Sequence, residues 1–234
     1  MNYYFLLEDS ESFIKVLPYW LKHMGFNCTR VMNIAEIKQN NYVLQSGHGV
    51  TQLITRALFD TIDTIINYPN TIDYLIIILD TENLEPCVRK AQVMHKIKEK
   101  YSTKEFDFKI EILVCNHCFE TWLLGAKDIY PHESVNPDSF FYPYYKHYNV
   151  SVQDPENMLV PNNINETIAK YHFHYLHELF RYKRIQYRKN KPNYVQTKEY
   201  FDLIVERVHN TMQIESFQIF FDFFKRQTMQ IDSM

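Results

Sequence analysis

The sequence predicts an α/β fold: a parallel sheet flanked by helices, followed by a helical C-terminal region. Three observations predict it. Strand-length apolar runs, "YYFLL", "NYVLQS", "TIDYLIIILD" and "FKIEILVC", recur through the first half. Segments with helical spacing of apolar residues separate them, which is the alternation of βαβ units. From about residue 163 the helical pattern runs to the end.

Taken in order, residues 3–7 read as a short buried strand. Residues 10–25 follow as an amphipathic helix, with Ser10 as N-cap, Gly25 as stop, and Pro18 predicting a kink or break. A second strand spans 41–46 and ends in the turn "GHG". Residues 51–68 carry helical spacing with Thr51 as N-cap. The third strand ends at Asp80, and a helix over 85–101 has Pro86 near its first turn. The fourth strand spans 108–115, with Ile110, Ile112 and Val114 alternating, and "CFETWLLGAK" opens another helix that weakens at Gly125. These elements divide the chain into 1–130, an irregular connection or insertion over 131–162 rich in Pro, Asn and aromatics, and a helical region over 163–234.

Composition fits a folded chain. Of 234 residues, 46% are hydrophobic and 16% aromatic, with only four glycines, which excludes a disordered profile. The net charge of −3 neither marks nor excludes a nucleic-acid partner, because a basic patch can hide inside a near-neutral sum. Four scattered cysteines suggest reduced thiols rather than a disulfide framework. The opening "MNYYFLLEDSES" lacks the basic flank of a signal peptide. No apolar run approaches the roughly 20 residues that cross a bilayer. The expectation is a soluble, cytoplasmic protein without a membrane partner.

Carboxylates cluster at the predicted strand ends. Glu8 and Asp9 follow the first strand, Asp80 and Glu82 the third, and Glu120 lies just beyond the fourth. In a parallel sheet these positions share the carboxyl edge, where sites form. Acids after strands are also common because turns favour them. Three such segments on one edge would repel one another and raise their own pKa values. A divalent cation resolves that conflict, and hard oxygen ligands suit Mg²⁺ or Mn²⁺.

These residues resemble a Toprim-type catalytic domain. That family places a glutamate after its first strand, a glycine-bearing turn after its second and an Asp-x-Asp-type pair after its third. Here "YYFLLED" carries Glu8, "LQSGHG" carries Gly47 and Gly49, and "LIIILDTEN" carries Asp80 and Glu82, with glutamate where aspartate is more usual. The segment "NHCFETWLLG" is similar to the "NPCFELWLL" signature of RloB-like proteins, with Glu120 and Trp122 matching and His117 in place of proline. The resemblance covers about residues 3–125. It implies a Toprim-like Rossmannoid sheet and metal-dependent phosphodiester hydrolysis of DNA, RNA or tRNA, as in OLD-family nucleases. It also implies an effector role in antiphage defence, for which an ATPase partner would make the chain one half of a sensor–effector pair. Asp80 and Glu82 would be metal ligands, Glu8 a ligand or general acid/base, and Glu120 a weaker second-site ligand. The dipole at a helix N-terminus would also favour an acid at Glu120.

Other segments carry weaker signals. "SGHGVT" suits either a phosphate at a helix N-terminus, with His48 touching substrate, or a tight turn that needs glycine. Cys115, His117 and Cys118 are too cramped for the usual zinc spacing and fit packing at a strand end. In "RYKRIQYRKNKP", Arg181, Arg184, Arg188 and Lys191 would share one helical face. Such a stripe suits phosphates, with tyrosines stacking on bases, or is a solvated surface. "SFQIFFDFFKR" suits a helical core or a surface for a partner or a second copy. Two other functions fit the acids: a receiver-like switch phosphorylated on Asp80, and a non-catalytic Toprim scaffold that binds nucleic acid or a protein.

Overall fold

The computed structural model describes residues 1–131 and 134–232. Its centre is a five-stranded, all-parallel sheet in the order β2-β3-β1-β4-β5. The strands are β1 (Tyr3–Leu7), β2 (Thr29–Arg30), β3 (Asn41–Ser46), β4 (Tyr74–Asp80) and β5 (Lys109–Cys115). The fold is Rossmann-like. Four of the strands match the apolar runs of the sequence. The fifth, β2, is a two-residue edge strand whose side chains are both exposed, so no apolar pattern announces it.

Helices cover both faces because alternate strand residues point to opposite sides. Tyr3, Phe5, Leu7, Ile76, Ile78 and Leu113 face one apolar cluster, and Tyr4, Leu6, Leu75, Ile77, Leu79 and Ile112 the other. The second cluster is covered by α2 (Val50–Gln52), a π-helical stretch (Leu53–Ala57), α3 (Leu58–Ile66) and α4 (Pro86–Lys100). The first holds α1 (Phe13–His23), α5 (Phe119–Leu123), α6 (Tyr142–His147) and the C-terminal helices α7 (Ile168–Tyr182), α8 (Lys198–Thr211) and α9 (Glu215–Asp232). Residues 163–232 therefore share one core with a face of the sheet.

The phenylalanines of α9 fill that core. Phe220 lies 5.0 Å from Trp122, Phe224 lies 5.9 Å from Phe5, and Phe13 stacks on Phe119 at 4.5 Å between ring centroids. Cys115 and Cys118 pack, buried, at the end of β5.

Three local expectations need correction. The N-terminus of α1 is capped by Asp9, not Ser10: its carboxylate accepts from the N–H groups of Ser12, at 2.8 Å, and Phe13. The helix starts only at Phe13, and the Asp9 carboxylate reaches forward to amides at its start that lack intrahelical partners. The helix after β3 is capped by Gly49, at φ 95°, and Thr51 lies inside it. Pro18 sits within α1, which continues from Phe13 to His23, so the proline does not break the helix. No helix among the described residues is long and apolar enough to cross a membrane.

Candidate carboxylate centre and basic cleft

The chain leaves β1 toward β2 and β3 on one side and returns to β4 and β5 on the other. Strand order therefore reverses at the β1/β4 pair, and in such sheets sites form beyond the carboxyl ends at that point. Glu8 and Asp80 stand there, directly after β1 and at the end of β4. The Glu8 N–H donates to the Ile78 carbonyl, continuing the β1/β4 ladder by one residue at 2.9 Å. The Asp80 N–H donates to Glu8 Oε2 at 2.7 Å. The same Glu8 carboxylate accepts from the Val50 N–H. It thus occupies the start of the helix after β3, where the sequence left room for a phosphate.

Crowding of the acids shows in their protonation. Burial pushes Glu8 up to about 7, aided by Glu82 and opposed by the Asp80 and Val50 amides and by Arg89. Asp80 is pushed far above the usual carboxylate range, first by burial and then by Glu8, Glu120 and Asp9, with Lys189 acting against them. The Cys115 thiol also bonds to Asp80, opposite it in the ladder. Desolvation and like charge both favour the neutral acid, and a cation would reverse both.

The other two candidate acids are already paired. Glu82, at φ 53° in an exposed turn, meets Arg89 Nη2 at 3.3 Å. The same Arg89 nitrogen donates to the Thr81 carbonyl at 3.1 Å, and its buried Nε has no partner among the described residues. The turn is stitched to β5: Thr81 and Glu82 donate their N–H groups to the carbonyls of Cys115 and His117. Glu120, only 4% exposed, accepts from Lys189 Nζ at 2.8 Å.

Among the described residues, no group of three or more His, Cys, Asp or Glu side chains is gathered as a metal cage would require. The donor set does not fit a site enclosed wholly by protein ligands. It does fit Mg²⁺, which is commonly held by one or two carboxylates with water and substrate phosphate completing the shell. Asp80 beside Glu8 is such a set. In this arrangement Glu82 and Glu120 serve cationic side chains instead.

Arg181, Arg184, Arg188 and Lys191 do not form a helical stripe. The helix α7 ends at Tyr182, Arg184 takes a left-handed φ of 57°, and Arg188 and Lys191 pair across a small antiparallel turn. The break is closed locally: with Arg184 left-handed, the Ile185 N–H turns back to the Phe180 carbonyl at 2.8 Å and ends the helix. The four are nevertheless brought together, lining a cleft of about 860 Å³ with Tyr187 and Tyr194. Arg181 is engaged with Glu178 at 3.2 Å and lies over the Phe140 ring. His48 is elsewhere, on a separate cleft of about 310 Å³ with Arg56 and Asp60.

Sequence reasoning missed two residues, Arg89 and Lys189. An arginine in the first turn of α4 opposes the helix dipole, which was a legible sign of a specific partner. Lys189 carried no such sign within its basic run. The fold and site together define a Rossmann-like α/β protein with a carboxylate centre at its switch point. No family model, no curated protein and no solved structure matches the chain.

Proposed function

We propose that this chain is a Toprim-type, RloB-like metal-dependent nuclease that hydrolyses phosphodiesters at the Glu8–Asp80 pair. The observation that carries the reading is the contact of Asp80 N–H with the Glu8 carboxylate at 2.7 Å, across the point where strand order reverses. Asp80 would hold Mg²⁺ or Mn²⁺. Such an ion supplies Lewis-acid polarisation of the phosphate and a lowered pKa for an attacking water.

The chain's own groups do the rest. Glu8 adjoins Asp80 and takes the proton of the water as its oxygen bonds to phosphorus. The P–O ester bond then opens, and the leaving oxygen takes a proton from solvent. Lys189, paired with Glu120 and close enough to act on Asp80, contributes positive charge beside the developing phosphate charge. Arg89 fixes the 81–82 turn and so the position of Asp80 before it.

Roles as an antiphage effector and as the partner of an ATPase rest on the sequence resemblance. One observation favours a second reading, a scaffold that binds nucleic acid without cutting: Lys189 and Arg89 already neutralise two of the acids. Calorimetric titration with Mn²⁺ separates the two. The nuclease reading expects saturable binding that Asp80→Asn abolishes, and a wild-type chain that binds no Mn²⁺ yet binds nucleic acid would establish the scaffold.

A further inference from the structure

The cleft of about 860 Å³ carries a sharper statement than general affinity for nucleic acid. Its free cations are Arg184, Arg188 and Lys191, whose side chains make no ion pair among the described residues. No acidic residue lines it, and the half-buried Tyr194 forms part of its wall. Its volume lies within the roughly 300–1,000 Å³ of sites that enclose compact ligands. A few flexible nucleotides can fill such a space, and only an unpaired strand offers its base faces to an aromatic side chain there.

One turn supplies residues to both the cleft and the carboxylate centre. Arg188 and Lys191 pair across a tight turn and line the cleft, while Lys189, between them, reaches Glu120 at 2.8 Å.

We infer that the cleft is a binding subsite for single-stranded nucleic acid, with Arg184, Arg188 and Lys191 on its phosphates and Tyr194 stacked on a base. As the route by which substrate reaches Asp80, this rests on the proposed nuclease activity. As a binding site it stands alone, so it is tested with EDTA present and no cleavage.

Fluorescence anisotropy with labelled oligo(dT) and oligo(U), and with a duplex of equal length, reads it directly. Single strands should bind at least about tenfold more tightly than the duplex, with log K falling against log salt at a slope near −2 for three contacts. Arg188→Ala with Lys191→Ala should bring the slope to about −0.7. Tyr194→Leu should weaken binding roughly tenfold while Tyr194→Phe keeps it, because stacking needs the ring and not the hydroxyl. Equal affinity for duplex and single strand, or an unchanged slope in the double variant, overturns the subsite. Hydrolysis of a small phosphodiester by a chain that binds no single strand would overturn the subsite and leave the carboxylate centre standing.

Discussion

Lys189 Nζ lies 2.8 Å from Glu120 Oε1, so the ammonium from the 188–191 turn is the counter-charge of the most enclosed acid in the centre. The same ammonium passes 4.8 Å from the Phe173 ring centroid. This pair ties the C-terminal region to the carboxyl edge of the sheet.

Removing one partner should therefore cost more than removing both. Lys189→Met leaves a buried carboxylate uncompensated, and the expected loss is about 1–3 kcal/mol, discounted because the lysine is partly exposed. Adding Glu120→Gln should restore most of it. Urea unfolding of the two single variants and the double variant measures the coupling, and additive losses would show that the pair is not coupled.

Ser216 is a hub of the core beneath the centre. Its hydroxyl accepts from Trp122 Nε1 at 2.6 Å and from the Asn116 N–H at 3.1 Å, and donates to Glu156. Ser216→Ala leaves the buried indole N–H without that acceptor, so thermal or urea unfolding should show a loss of about 2–3 kcal/mol. A loss near zero would mean that the indole finds another partner.

Glu156 makes stability fall as pH rises. Burial lifts its carboxyl from 4.5 to about 7 in the folded chain, against the bonds from Ser216. Between those values the folded state binds more protons than the unfolded state. The contribution is thus complete below about 4.5 and lost as pH climbs through 7, amounting to about 3 kcal/mol at most. Glu156→Gln keeps the acceptor oxygen and should flatten that part of the pH–stability curve. An unchanged curve would place the titration elsewhere.

Gly47 and Gly49 should fail for different reasons. A Cβ on Gly47 would lie 2.7 Å from Leu53 Cβ, so Gly47→Ala overpacks the turn and should cost about 1–3 kcal/mol. Gly49 has open space around it but a φ of 95°, so Gly49→Ala is strained by backbone alone, at about 1–2 kcal/mol. Urea unfolding of the two single variants measures both losses, and a loss near zero in either would show that its turn relaxes without strain.

Much of the fold was legible because β1, β3, β4 and β5 are apolar runs of strand length, separated by helical spacing. The exposed pair Thr29–Arg30 offered no such run. The strand ends fixed where Glu8 and Asp80 would meet, since parallel strands deliver their carboxyl ends to one edge. Side-chain partners were not legible. Glu82 turns to Arg89 because of a left-handed turn, and Glu120 meets Lys189 because a distant turn folds over it. The basic run reads with helical period past Tyr182, but a left-handed Arg184, which no residue type in the run announces, ends the helix there. The four cations converge anyway, by a bend rather than along a helix.

Metal-dependent cleavage tests the central claim most directly. Purified wild type, Glu8→Gln and Asp80→Asn should be incubated with labelled single-stranded DNA and RNA in Mn²⁺, in Mg²⁺ and in EDTA. The account predicts cleavage by wild type with metal, none in EDTA, and a loss of at least about a hundredfold in both variants. Cleavage in metal that is undiminished in both variants would contradict it.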